Sequence, residues 1–258
     1  MSFSVFTYNT LFNNAVDNIG PIIAKYRPDI LCLQEIDTDE ENLKRIEKLG
    51  MRLADYANSF VKFGRFYGVA TFYNPEKIKH TSSAVLYPGS NFAEILFTLL
   101  QVILGYKKPK TFLMSDFTDK KSKKPFSLCN IHLYVVGSNA LRIGHMKQVL
   151  GLIETSNPLI LTGDFNYLPY QRRRLENFMK KNGLIEATKN ISQTIKFTRD
   201  GEFEKFSLFQ KISVKIMGRV LNNLKIDYIF YRGLKLKGTR RVDVRYSDHF
   251  PIISTFTL

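Results

Sequence analysis

The stretch Leu159-Ile160-Leu161-Thr162-Gly163-Asp164-Phe165-Asn166 most constrains what this chain can fold into. Its apolar and β-branched start reads as a short buried strand. Gly163 then lets the backbone turn. Asp164 and Asn166 follow at i and i+2, a spacing that sends both side chains to one side of a strand. A carboxylate and an amide are thereby aimed at one spot on a sheet rim, where they can hold a water against a phosphorus centre. A strand followed by an Asx turn is the plainer reading of the same residues. The rest of the chain decides between them.

The same grammar recurs. Residues 3–8 alternate as a first strand and end in Asn9-Thr10. Residues 15–26 have helical spacing, with Ile19, Ile22 and Ile23 on one side and Pro28 as a stop. Ile30-Leu31-Cys32-Leu33 reads as a buried strand running straight into Gln34-Glu35. Residues 39–49 read as a polar surface helix. Strands are expected over 68–73 and 78–87. Those over 112–117 and 126–133 form a hairpin around a lysine-rich turn, and His132 falls near the end of the second. Ser138 caps a helix to about Glu154, with Leu141, Val149, Leu150 and Ile153 as core candidates. A basic helix over 171–181 stops at Asn182-Gly183. Lys225-Ile226-Asp227-Tyr228-Ile229-Phe230, then Ser247-Asp248-His249-Phe250-Pro251, and a last strand over 252–256 close the chain. Strands with helices between them, without strict alternation, predict an α/β sandwich of mixed sheets.

At 258 residues, 44% of them apolar, one domain over 1–258 is expected. The formal net charge of +15 is unevenly spread. From Tyr167 onward 19 Lys and Arg face 8 Asp and Glu; up to Phe60 the balance is 6 against 9. Such a field draws nucleic acid, anionic lipid surfaces or phosphorylated substrates. Cys32 and Cys129 lie in apolar runs and read as small core residues, which fits a reducing compartment. The N-terminus shows no signal peptide and the chain no membrane span, so a cytoplasmic location is expected, with peripheral membrane attachment as a variant of it.

Asn9, Leu33-Gln34-Glu35, His132, Gly163-Asp164-Phe165-Asn166, Ile226-Asp227-Tyr228 and Ser247-Asp248-His249-Phe250-Pro251 occur in one order, each at a strand end. That order resembles the endonuclease/exonuclease/phosphatase superfamily, the DNase I-like fold, over residues 3–256. The resemblance implies a four-layer α/β/β/α sandwich of two mixed sheets with helices on the outer faces. It implies a phosphoesterase that uses Mg²⁺, with Mn²⁺ as a substitute. Separated carboxylates and amides suit that hard ion, and clustered thiols for zinc are missing. By the same resemblance Glu35 is the main metal ligand, helped by Asn9 and Asp248. Asp164 orients or deprotonates the attacking water, and Asn166 bonds that water or a phosphoryl oxygen. His249 contacts the phosphoryl group with Asp227 holding its ring, and His132 stabilises the non-bridging oxygens. Arg142 and Tyr134 are carried as substrate-binding residues; for Arg142, and for Gln148 on the same helix, packing is the competing role.

Two departures narrow the branch. The exonuclease III-like abasic-site nucleases carry Tyr where His132 stands and Trp near the DNA groove, and this chain has no Trp. It looks closer to the sphingomyelinases, deadenylases, tyrosyl-DNA phosphodiesterases and phosphatases. Two stretches lie outside the family pattern. Residues 92–106 are almost wholly apolar with one narrow polar stripe, and lysines follow. Residues 205–224 pair an apolar face with a basic one. Both read as helical insertions, near 90–108 and 205–224, suited to an anionic membrane surface or to packing against the sandwich. The expected substrate is a phosphodiester or phosphomonoester, including a phospholipid. A nuclease acting on DNA or RNA, and an inactive binding module on the same fold, are the alternatives.

Overall fold

The computed structural model describes residues 2–89, 110–135, 137–196 and 224–258. The stretch 92–106, and all but the last residue of 205–224, lie outside the described residues.

Six strands form one sheet: β1 (Ser2–Asn9), β2 (Ile30–Asp37), β3 (Arg52–Lys62), β4 (Arg65–Tyr73), β11 (Lys235–Arg241) and β12 (Ile252–Thr257), in the order β11-β12-β1-β2-β4-β3. Six more form the other: β5 (Ile78–Val85), β6 (Thr111–Asp119), β7 (Pro125–His132), β8 (Leu159–Asp164), β9 (Ile185–Glu186) and β10 (Asp227–Arg232), in the order β5-β6-β7-β8-β10-β9. The two orders mirror each other. Each sheet is antiparallel except for one central parallel pair, β1 with β2 and β7 with β8. The C-terminal ends of both parallel pairs lie at the same edge of the sandwich, where ligands of α/β sheets usually bind.

Alternation along the strands assigns the faces. Phe6, Tyr8, Leu31, Leu33, Ala70 and Phe72 point outward, under α1 (Ile19–Tyr26) and α2 (Glu40–Glu47). Cys129, Ile131, Leu159, Leu161, Tyr228 and Phe230 point outward from the second sheet, under α3 (Asn139–Leu152) and α4 (Arg172–Lys181). Phe3, Val5, Ile30, Cys32, Phe126, Leu128, Ile160, Ile229 and Phe256 fill the space between the sheets. Phe3 stacks on Phe126 there at 4.4 Å. The architecture is therefore the expected α/β/β/α sandwich. Both cysteines are buried and free, and burial raises both thiol pKa values. Among the described residues no helix is long and apolar enough to cross a membrane.

Some expectations change. The helix expected over 15–26 opens as a 3₁₀ turn, Val16–Asn18, before α1 begins. On α3, Val149 is fully buried, while Leu150, and Ile153 just past the helix end, only pack against the core from partly exposed positions. The 11-residue β3 escapes sequence reading because register shifts at Leu53/Asp55 and Asn58/Phe60 break its period of two. The basic edge strand β11 carries a shift at Leu236/Gly238, where the alternation of exposed and half-buried residues changes phase.

Candidate active site

The inner-face alternation of four strands ends on polar side chains at one edge. β1 delivers Asn9, β7 delivers Asn130 and His132, β8 delivers Thr162 and Asp164, and the start of β10 delivers Asp227. All are buried. Their aim follows from parity, since each lies an even number of residues from a core side chain between the sheets.

Glu35 breaks that rule. It does not follow the strand, as the sequence suggests, but sits inside β2. Simple alternation would place it outward with Leu31 and Leu33, beneath the helices. A bulge corrects this: Gln34 pairs with Val69 and Ile36 with Gly68, leaving Glu35 as the extra residue at φ 53°. A left-handed glutamate is uncommon and costs conformational energy. The bulge turns the carboxylate toward the cleft while Ile36 stays in the outer core.

Across the cleft, His132 Nε2 lies 3.5 Å from Glu35 Oε1 and 3.8 Å from Asp164 Oδ2. The imidazole thus bridges a carboxylate of one sheet and a carboxylate of the other. Asn9 Nδ2 donates to Asp164 Oδ2 at 3.0 Å, and the Asn166 backbone N–H donates to Asp164 Oδ1 at 2.8 Å. Both carboxylate oxygens are held. Asn166 sits at φ 47°, so it reaches Asp164 by an Asx turn rather than by strand alternation. Its side-chain amide donates to the Leu133 carbonyl at 3.0 Å. The Asx-turn reading of this loop holds and Asp164 points its carboxylate at the cleft, but the Asn166 amide is engaged by the Leu133 carbonyl and does not follow Asp164 along the strand. Gly163 is required behind it. At φ 133° a Cβ there would lie 2.0 Å from the Ile131 carbonyl oxygen.

His249 enters from the loop before β12. Its Nδ1 is 2.9 Å from Asp227 Oδ2, and its Nε2 is 3.8 Å from Asp164 Oδ2 and 3.9 Å from Asp248 Oδ1. Burial alone would lower the imidazole pKa. The carboxylates of Asp227 and Asp248, the hydrogen bond to Asp227 and nearby Asp164 outweigh it, and the value rises to about 10. Burial raises the pKa of Asp164; His249 counteracts this and Asp227 adds to it. Ser247 ties the loop to β1, its hydroxyl donating to the Asn9 carbonyl at 2.8 Å.

Two expected roles change. Arg142 does not face the cleft as a phosphate contact. It is fully buried, and its guanidinium donates to the carbonyls of Tyr134, Val135 and Gly137 and to Asn139 Oδ1, at 2.8–3.3 Å. Its donors are consumed in clamping the loop after His132, and Gln148 is exposed. Tyr134 is likewise buried, its carbonyl held by that guanidinium and its ring 5.4 Å from the His145 ring. Beside the expected metal ligands Asn9, Glu35 and Asp248 lies a second group that could hold an ion. Among the described residues Asp164, Asp227 and His249 offer atoms within 4.8 Å of one another. The Asp227–His249 hydrogen bond already satisfies two members of that trio.

Sequence reading missed Thr194 and Lys225. The Thr194 hydroxyl accepts from the N–H groups of Ile226 and Asp227 at 3.0 and 3.1 Å, and its carbonyl accepts from Phe250 N–H at 2.7 Å. It thereby fixes Asp227 and the His249 loop together. Lys225 is buried against Glu186 and donates to the Thr188 carbonyl at 2.6 Å. Burial lowers its pKa to about 8, against the pull of Glu186. Neither residue carries a local sequence signal, because their partners are distant in the chain.

The family model for the Endonuclease/Exonuclease/phosphatase family matches residues 6–249. The chain belongs to the endonuclease/exonuclease/phosphatase family. This is a family of phosphoric ester hydrolases, and the match spans every site residue described above. A UPF0294 protein of Vibrio campbellii is 26% identical over 155 residues, covering 58% of this chain and 46% of its own length. Protein angel of Drosophila melanogaster is 26% identical over 178 residues, covering 64% and 46%. The chain spans about half the length of these curated relatives. Among solved structures, the human Nocturnin catalytic domain with a bound sulfate anion superposes with a TM-score of 0.72 at 18% identity, over 99% of this chain and 93% of that one. At that identity the likeness concerns the fold.

Proposed function

We propose that the chain is a Mg²⁺-dependent phosphoric ester hydrolase that attacks phosphorus with water at the Glu35–His132–Asp164 cleft. The observation that carries this reading is His132 lying within 4 Å of carboxylates from both sheets. Residues from both halves of the fold thus converge on one point. The donor set fits a hard divalent cation. Glu35, Asp164, Asp227 and Asp248 are all buried with two imidazoles beside them, and buried carboxylates call for compensating positive charge. Glu35 would hold the ion with Asn9 and Asp248. When bound, it supplies Lewis-acid stabilisation of the phosphoryl oxygens.

The chain's own groups do the rest. Asp164, with both oxygens oriented by Asn9 and Asn166, accepts the proton of the attacking water. Asp227 fixes the His249 ring through Nδ1 and leaves Nε2 facing the cleft. A protonated His249 then donates to a phosphoryl oxygen as negative charge grows there, and His132 does so from the opposite side.

Two substrate classes suit the charge of +15, nucleic acid and anionic lipid. The lipid reading rests on residues 92–106 and is tested by co-sedimentation with anionic vesicles at low salt. The Arg172-Arg173-Arg174 cluster just after the Asp164 loop supports the nucleic-acid reading in part. Arg172 pairs with Glu176 at 2.7 Å, while Arg173 and Arg174 are exposed. The deciding experiment screens DNA, RNA, phospholipids and soluble phosphate esters for turnover that needs Mg²⁺ or Mn²⁺ and stops with chelator. Absence of turnover across all classes would leave the inactive binding module in its place.

A further inference from the structure

Asp227 and His249 come from different sheets. Asp227 opens β10 of the second sheet, and His249 lies in the loop before β12 of the first. Something must set the distance at which their side chains meet. Ser247 ties its loop to the first sheet through the Asn9 carbonyl. The link to the second sheet runs through residues 194–196, which lie outside the strands described above. The Thr194 carbonyl accepts from Phe250 N–H at 2.7 Å, and Lys196 N–H donates to the Asp248 carbonyl at 2.7 Å. Between them Ile195 pairs with His249 as an isolated antiparallel bridge. The backbone of His249 is thus held on both sides. At its other edge the same segment is pinned to the approach of β10, where Thr194 and Ile195 N–H both donate to the Leu224 carbonyl at 2.8 and 3.0 Å.

The Thr194 side chain reaches the other partner. Its hydroxyl oxygen accepts from the N–H groups of Ile226 and Asp227 at 3.0 and 3.1 Å. Consecutive N–H groups of an extended chain point to opposite sides. Here they converge, so the backbone bends as it enters β10, and the concavity that results needs an acceptor. Thr194 is fully buried, as are Ile226 and Asp227, so solvent does not supply one. The Ile226 carbonyl in turn accepts from Phe165 N–H at 3.0 Å, next to Asp164. Core packing does not ask for the hydroxyl. A valine has the same branched outline and buries no polar atom. What threonine adds at position 194 is an acceptor aimed at the backbone of Asp227.

We propose that Thr194 is a positioning residue for hydrolysis. Its hydroxyl fixes where Asp227 stands and its carbonyl fixes where His249 stands. One residue thereby sets the register in which the carboxylate meets Nδ1 across the two sheets. The proposal rests on the hydrolase reading above, because it needs His249 to donate to the phosphoryl group. That bond strengthens as negative charge grows in the transition state, so misplacing His249 acts on kcat more than on KM.

The test uses p-nitrophenyl phosphate and its bis(p-nitrophenyl) diester in saturating Mg²⁺. Thr194→Val should lower kcat by about 10²-fold and leave KM nearly unchanged. Thr194→Ser keeps the acceptor and should recover most of the loss. In a His249→Ala background, Thr194→Val should cost little more, since both changes disable one unit. Circular dichroism checks that each variant is folded. A loss that persists undiminished in the His249→Ala background, or a Thr194→Ser variant as poor as Thr194→Val, overturns the positioning role and leaves the hydrolase reading standing. Amide hydrogen exchange on the intact chain needs neither a folded variant nor activity. The Ile226, Asp227 and Phe250 amides should open together, as parts of one unit. Unrelated exchange at Asp227 and Phe250 overturns the link through Thr194. No Mg²⁺-dependent turnover of these or any other ester by the intact chain overturns the hydrolase reading and the positioning role with it.

Discussion

Gln34 and Asn130 meet between the two sheets one layer beneath the cleft: Gln34 Nε2 donates to Asn130 Oδ1 at 2.7 Å. Asn130 Nδ2 in turn donates to the carbonyls of Leu33 and Ala70 at 3.2 and 3.0 Å. All of these groups are buried. Gln34 precedes Glu35, and Asn130 lies two residues before His132 on the same face. The clasp therefore sets the distance between a carboxylate of one sheet and an imidazole of the other. Asn130→Leu should lower stability by ~1–3 kcal/mol, because it strands a buried amide and carbonyls. It should also lower kcat/KM by on the order of 10²-fold through misplacement of Glu35 against His132. Urea unfolding and steady-state kinetics measure the two. Lost stability with unaltered activity would mean that the clasp holds the sheets without aligning the site.

Glu35 is held by a bulge and contributes little packing. Glu35→Gln should keep the fold while activity falls by on the order of 10²–10³-fold, the scale of losing one main electrostatic group. The rise in Tm on adding Mg²⁺ should disappear with it. A variant that retains the Mg²⁺-dependent shift in Tm removes Glu35 from the metal site.

Asp227 and His249 form one hydrogen-bonded unit, so removing either should disable the same function. Asp227→Asn and His249→Ala should each lower kcat/KM by about 10²–10⁴-fold, and the double variant should be little worse than the poorer single one. Additive losses would show that the two residues act independently.

Arg142 is assigned to the loop, not to substrate. Arg142→Met should lower stability by at least ~3 kcal/mol, because several buried carbonyl acceptors lose their donor together. The conservative Arg142→Lys should recover only part of this, since an ammonium cannot reproduce the planar fork. A raised KM with unchanged unfolding energy would restore the phosphate role.

Much of the site is legible in the sequence because β-strand parity is a local rule. Asn9, His132, Asp164 and Asp227 each sit at a definite phase from core residues on their own strand. An apolar run ending on such a residue states both the strand and the direction of its last side chain. Glu35 was legible as a residue but not as a conformation. Its aim depends on a bulge against Val69 and Gly68, and a bulge is a property of two strands. Arg142 shows the opposite failure. A cation on a helix near a phosphate site invites a phosphate role, yet the carbonyls it clamps belong to a loop whose path the sequence does not state.

The sequence by itself determined the order of most strands and helices, the inner and outer faces of most of those strands, and the chemical types assembled at one edge. Periodicity and apolar burial act over a few residues and can be read from them. The tertiary structure alone decided how β3 and β11 complete their sheet, how Gln34 and Asn130 lock the layers, and how Thr194 joins Asp227 to the His249 loop. Each of these joins residues far apart in the chain. Their partners are fixed only when hydrophobic burial packs the two sheets face to face, and no local pattern encodes that choice.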